Sequence, residues 1–121
     1  MDRKREPPDE ECLFSDLLWA DPAEDDDFYT DYSHIWSRDF SIMFGRDPAN
    51  EFLEQEGLKA IVRAHEQQPE GYKEHRWNGE DEAAPVITVF SAPNYCNKYM
   101  NSAAIFITDG QGHSFKVFKE T

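Results

Sequence analysis

Cysteine is nearly absent from this sequence: Cys12 and Cys96 are the only two in 121 residues. Two thiols 84 positions apart cannot build a disulfide framework, and they lack the spacing of a structural zinc site. Long apolar runs are missing too, so no helical membrane span is expected, and the charged amino terminus does not read as a secretory leader. Positive charge is scarce, with 12 Lys and Arg against 25 Asp and Glu, a formal charge of −13. Such a field repels phosphate backbones and anionic lipid, which makes nucleic acid and membrane surfaces poor partners. No glycine-rich phosphate loop, CxxC pair or Ser-His-Asp arrangement occurs. The composition fits a reduced, soluble protein of the cytoplasm or nucleus.

What is plentiful is aromatic: 14% of the residues, including nine Phe. That content favours a packed core over disorder, and 121 residues suffice for one small domain. Residues 1–11 are charged and hold Pro7-Pro8, which predicts an extended segment. Leu13, Phe14, Leu17 and Leu18 recur at helical spacing up to Asp21-Pro22, which should end that helix. The acidic run 24–27 lacks the glycine and late glutamate of a calcium loop and reads as a solvated stretch. Residues 28–46 carry no clear period. Asp47 then suits an N-cap and Pro48 a first helical turn. Ala49, Phe52 and Leu53 make the apolar face, and Gly57 makes a left-handed stop.

Beyond Leu58 the period changes. Residues 58–64, 72–77, 86–92, 103–108 and 114–119 predict strands. Pro69 with Gly71, Asn78-Gly79 and Asp109-Gly110 mark the turns, the last closing a hairpin. The expected class is α+β with mostly antiparallel strands in the second half. A row of five strands with so few helices should leave an apolar sheet face in need of cover.

Three segments carry candidate chemistry. In Ile61-Val62-Arg63-Ala64-His65-Glu66 an apolar strand runs straight into a histidine, placing a neutral imidazole at a sheet rim where it suits a transition metal. A surface or hydrogen-bonded histidine satisfies the same pattern. Phe90-Ser91-Ala92-Pro93-Asn94-Tyr95-Cys96 ends a strand in a fixed turn that presents Asn94 and Tyr95, typical binding equipment but also compatible with an ordinary loop. Cys96 has no nearby cation in sequence and reads as structural or exposed rather than nucleophilic. Arg38, among aromatics, has the planar fork for bidentate phosphate capture, or for a salt bridge in so acidic a chain.

Taken together and in order, Leu17-Leu18-Trp19-Ala20-Asp21-Pro22, Arg63-Ala64-His65-Glu66 and Ser91-Ala92-Pro93-Asn94-Tyr95-Cys96 resemble the later signature stretches of the PPP-type serine/threonine phosphatases. Phe44-Gly45-Arg46-Asp47 and Phe52-Leu53 add to the likeness, which covers essentially the whole chain. The longer stretch holding Gly71-Tyr72-Lys73 and His75-Arg76-Trp77-Asn78-Gly79, with the opening Asp2-Arg3 and Glu6-Pro7-Pro8, most resembles calcineurin catalytic subunits. Asp39 stands where the family has glycine, and many calcineurins carry another residue at the position of Cys96.

The resemblance implies a partial calcineurin-like metallophosphatase fold, half of a β-sandwich with flanking helices. It implies hydrolysis of phosphoserine or phosphothreonine by water activated on two metal ions, manganese, iron or zinc. By position His65 would be a metal ligand, Arg38, Asn94 and Tyr95 would sit on the phosphate side, and Asp21 would have a supporting role. The family's Gly-Asp-x-His-Gly, Gly-Asp-x-Val-Asp-Arg-Gly and Gly-Asn-His-Glu motifs do not occur in residues 1–121, nor does its acid histidine. The expectation is therefore a C-terminal portion of a catalytic domain over 1–121, inactive alone and binding no metal stably. Phosphoprotein substrates are implied. The calcium-binding regulatory subunit and calmodulin of calcineurin are implied only for a longer chain, since their binding segments are not among these residues. The alternative is a non-catalytic phosphopeptide- or protein-binding module.

Overall fold

The computed structural model describes residues 20–23, 32–34 and 42–119. Two compact units divide the chain, the first ending at Leu58 and the second starting at Lys59. Residues 10–19 of the predicted helix, and Arg38, lie outside the described residues.

In the first unit, β1 (Asp21–Pro22), β2 (Tyr32–His34) and β3 (Ile42–Phe44) form a small mixed sheet in the order β1-β3-β2. β1 runs parallel to β3 and β2 antiparallel to it. Asp21-Pro22, expected as a helix stop, is thus a short strand, and two strands fall in the stretch that showed no period. Asp21, Pro22 and Ala23 are buried, and the Ala23 amide donates to the Phe44 carbonyl at 2.9 Å.

Helix α1 (Arg46–Glu56) follows. Its N-cap is Gly45 and no side chain caps it, so Asp47 is not the cap but an acid in the first turn, where it faces the positive end of the helix dipole. Pro48 costs little there because first-turn amides have no partner inside the helix. Ala49 and Leu53 are buried as the period predicted, whereas Phe52 is 47% exposed and leaves that face. Gly57 ends the helix at φ 66°, and the Leu58 amide reaches back to the Leu53 carbonyl at 2.9 Å.

The second unit holds β4 (Ile61–Arg63), β5 (Tyr72–His75), β6 (Val86–Val89), β7 (Ala103–Thr108) and β8 (His113–Phe118). All five predicted strands are present, four of them shorter or shifted, but they form two sheets: β4-β6-β5 and the β7-β8 hairpin. β6 takes the middle because Val86, Ile87 and Thr88 are buried, the pattern of a strand covered on both faces. β5 pairs with β6 antiparallel, as expected. β4 pairs with β6 parallel, with Ile61 opposite Val86, Val62 opposite Ile87 and Arg63 opposite Thr88. The link from β4 to β6 runs through β5 on the far side, so nothing in the local pattern announces this parallel pair.

The hairpin joins the sheet at two places. Ser102 and Ala104 amides donate to the Pro69 and Phe90 carbonyls at 2.9 and 3.0 Å. Beyond them, Tyr72 of β5 stacks on Phe115 of β8 with centroids 3.9 Å apart, and Phe106 and His113 complete the cluster. The opposite hairpin face keeps Ile105, Ile107 and Phe118 more than two-fifths exposed. The tip is an Asx turn in which Asp109 Oδ1 accepts the Gln111 and Gly112 amides at 2.9 and 3.0 Å. Those bonds hold the Asp109 carboxyl below its ordinary range.

Across the join, His113 Nε2 meets Glu74 Oε1 at 2.8 Å, and Arg76 reaches Glu74 Oε2 at 2.6 Å. Burial raises the Glu74 pKa, but the hydrogen bonds and charges of His113 and Arg76 outweigh it and leave the carboxyl below its usual value. A depressed carboxyl stabilises the fold above the unfolded-chain value of about 4.3, and that contribution is lost as pH falls through the lower folded value. Denaturant melts from pH 6 to 2.5 should therefore show Glu74→Gln losing less stability on acidification than the parent chain. Equal slopes contradict the assignment.

Gly71 sets how closely the hairpin approaches. It has φ 87°, and a Cβ there would lie 2.6 Å from the Ala103 carbonyl carbon and 2.7 Å from the Ala104 nitrogen. Gly110 has the same φ but open space around it. Gly71→Ala should cost about 3 kcal/mol from overpacking and a left-handed backbone together, and Gly110→Ala about 1 kcal/mol from the backbone alone. Urea unfolding of the two variants reads the difference directly.

Candidate functional site

Because β4 and β6 are parallel and in register, both strands end at the same side of the sheet. From β4 the chain passes through Ala64 to His65. From β6 it passes through Phe90 and Ser91 into the loop that presents Asn94 and Tyr95. The carboxyl ends of adjacent parallel strands are where open sheets place their ligand sites. His65, Asn94 and Tyr95 thus share one rim of the second unit. Asp21 belongs to the first unit, in β1, and Arg38 lies outside the described residues.

His65 is exposed and sits at φ 78°, a left-handed conformation that costs a non-glycine residue about 1 kcal/mol. The residues around it brace that bend. Arg63 Nη1 forms a salt bridge with Glu66 Oε1, closing over Ala64 and His65. The same nitrogen donates to Thr88 Oγ1 at 3.4 Å, and Thr88, with no solvent exposure, lies 3.0 Å from His75 Nε2. Since Thr88 accepts from Arg63, its own proton is available to His75. The Glu66 carboxylate beside His65 is thus engaged with Arg63.

Loop 91–102 is tightly determined. Asn94, Cys96, Asn97 and Met100 all have positive φ, between 45° and 58°. Four such residues in one short loop persist only where surrounding bonds over-determine them, a pattern common at binding sites. Asn94 donates its amide to the Asn101 carbonyl at 2.9 Å, and its Oδ1 accepts the Met100 amide at 3.2 Å. Tyr95 begins a short 3₁₀ turn (Tyr95–Asn97). Its ring lies edge-on to Phe90 at 5.1 Å and stacks with Tyr99 at 6.2 Å, while the residue stays 45% exposed. Ser91 Oγ anchors the loop's start on the Ala104 carbonyl at 2.7 Å. Cys96 is an exposed free thiol.

Sequence reasoning missed Asn101, which is buried beneath the loop. Its Nδ2 donates to the Ala92 and Ser102 carbonyls at 2.8 and 3.0 Å, and its Oδ1 accepts the Tyr95 amide at 2.9 Å. An asparagine closing a proline-containing loop was the available signal. The Arg63–Glu66 pair was legible as opposite charges three apart. The role of Thr88 was hidden by its place in an apolar run.

Among the described residues no group of three or more His, Cys, Asp or Glu converges. His65 offers one imidazole, which fits a single corner of a metal site.

Comparisons with known proteins give the family and the fold. The calcineurin-like phosphoesterase family matches residues 1–69, and the chain belongs to that family. It is 38% identical over 123 aligned residues to the serine/threonine-protein phosphatase 4 catalytic subunit of Saccharomyces cerevisiae, covering 98% of this chain and 35% of the relative. Serine/threonine-protein phosphatase 5 of Homo sapiens is 36% identical over 110 residues, 91% of this chain and 20% of its own length. The Saccharomyces cerevisiae serine/threonine-protein phosphatase 2B catalytic subunit A1 is 39% identical over 103 residues, 77% of this chain and 19% of its own. A solved Saccharomyces cerevisiae serine/threonine phosphatase superposes with a TM-score of 0.78 at 27% identity, over all of this chain and 38% of that one. The chain therefore spans between about a fifth and two-fifths of the length of the relatives it matches.

Thr88→Val keeps the shape of the central strand but removes the hydroxyl between Arg63 and His75. It should cost about 2 kcal/mol, because two polar groups lose a buried partner. Chemical denaturation measures the loss, and a neutral outcome would show that the hydroxyl bridges nothing of consequence.

Proposed function

We propose that this chain is the C-terminal part of a serine/threonine protein phosphatase catalytic domain and furnishes one side of its phosphate-cleaving site. The observation that carries the proposal is the in-register parallel pair β4–β6, which sets His65 and the Asn94–Tyr95 loop on one rim. A pair of metal ions, manganese, iron or zinc, would supply the water-activating chemistry of such a site. His65 would be one ligand of that pair, its turn braced by Arg63 and Glu66. Asn94 and Tyr95 would flank the phosphoryl group from their loop, and Arg38 would be a phosphate ligand by its place in the family motif alone. Asp21 has at most a supporting place.

Substrates on this reading are phosphoserine and phosphothreonine proteins. The longer stretch between His65 and Phe90 supports a placement with the calcineurin type. The match to a phosphatase 2B catalytic subunit supports that placement, while phosphatase 4 relatives match over a larger share of the chain. With the calcineurin type would come a calcium-binding regulatory subunit and calmodulin as partners of a longer chain.

One donor binds a metal weakly, so the test uses a paramagnetic ion at high concentration. Titrating Mn²⁺ into the isotope-labelled 121-residue chain should broaden the signals of His65 and of residues 91–95 together, and His65→Ala should abolish the effect. Broadening confined to other acidic residues, with His65 and Tyr95 sharp, contradicts the proposal. The isolated chain should also show no turnover of a phosphoserine peptide. Measurable turnover would overturn the reading that its site is incomplete.

A further inference from the structure

We infer that Asn101 is the positioning residue of the phosphate-side loop, holding Asn94 and Tyr95 in their presented conformation through bonds that no other side chain in the loop makes. The inference rests on the functional reading above, and it adds a residue that the motif Ser91–Cys96 does not contain.

Asn101 is 3% exposed, and both ends of its amide are used. The two Nδ2 protons go to Ala92 on the entering limb of the loop and to Ser102 on the leaving limb. The Oδ1 takes the Tyr95 amide, and the main-chain carbonyl of the same residue takes the Asn94 amide. One residue thus fixes positions 92, 94 and 95 from below. Between those positions and Asn101 lie the left-handed residues Asn94, Cys96, Asn97 and Met100, whose conformations are unfavourable unless held. The neighbouring amide does a different job, since Asn94 turns its own Oδ1 back to Met100. The geometry requires a side chain that both donates and accepts at this length. Alanine removes both functions. Aspartate keeps the acceptor for Tyr95 but sets a carboxylate against the Ala92 and Ser102 carbonyls. Glutamine adds a methylene under a loop with no slack.

The test compares the parent 121-residue chain with Asn101→Ala and Asn101→Asp by residue-resolved amide exchange and by inorganic phosphate titration. In Asn101→Ala the Tyr95 amide should exchange at least about tenfold faster, while the Ile105 and Lys116 amides, opposite each other in the β7-β8 hairpin, keep their protection. In Asn101→Asp the Tyr95 amide should stay protected although the loop signals shift. Should the alanine variant fail to fold, the aspartate variant decides: an unshifted loop contradicts the inference. Unchanged Tyr95 exchange in Asn101→Ala, or a uniform loosening of the whole unit, also overturns it, the second by showing a merely structural role. Phosphate separates this inference from the functional reading. If phosphate does not move the Asn94 and Tyr95 signals of the parent chain, the phosphate reading fails and exchange alone decides the role of Asn101. If it does move them, Asn101→Ala should weaken the response about tenfold, and an equal response in parent and variant contradicts the inference.

Discussion

The parallel pairing of β4 with β6 is the constraint on which the site depends. Were β4 antiparallel to β6, its carboxyl end would lie beside Pro85, and His65 would stand at the opposite margin from Asn94 and Tyr95. With Arg63 opposite Thr88, both strands instead release their chains on one side. β6 can serve as the shared neighbour because Val86, Ile87 and Thr88 are apolar or satisfied on both faces, so it accepts a partner along each edge. The register also aligns Arg63 with the Thr88 hydroxyl, which ties the brace of the His65 turn to the centre of the sheet.

Strain and satisfaction are balanced around this rim. His65 and four residues of loop 91–102 occupy left-handed backbone that side chains disfavour. Bonds from sequence neighbours and from below hold these two turns: the Arg63–Glu66 salt bridge on one side, and Asn101 on the other. A loop fixed this way presents Asn94 and Tyr95 with little conformational entropy left to lose on binding, which is the physical content of preorganisation. The approach of the hairpin across Gly71 completes the arrangement, because β7 carries the Ala104 carbonyl that anchors Ser91.

Much of this was legible in the residues. The helix through Ala49 and Leu53 and its Gly57 stop, the five strands, and the Asp109-Gly110 turn all follow from local period and turn chemistry. The N-cap was misread because Asp47 is a good capping residue one position inside the true start. Phe52 was placed on the buried face although the helix turns it outward. Residues 28–46 showed no period because strands of three residues are too short to display one. The parallel partner of β4 was invisible for another reason: strand order and direction depend on which edges are free, and no local spacing encodes them. Of the candidate site residues, His65, Asn94 and Tyr95 were singled out from local pattern and motif, while the place of Thr88 beside Arg63 emerges only when the strands are set side by side, and the bonds of Asn101 only when the loop is closed.

Backbone nuclear Overhauser contacts across the β4–β6 pair test the central claim most directly. The account predicts the parallel pattern, with Arg63 contacting Thr88, Ile61 contacting Val86, and the His65 end next to Phe90 and Ser91. An antiparallel pattern, with Arg63 against Val86 and His65 next to Pro85, would separate the imidazole from the loop and end the case for a shared phosphate site.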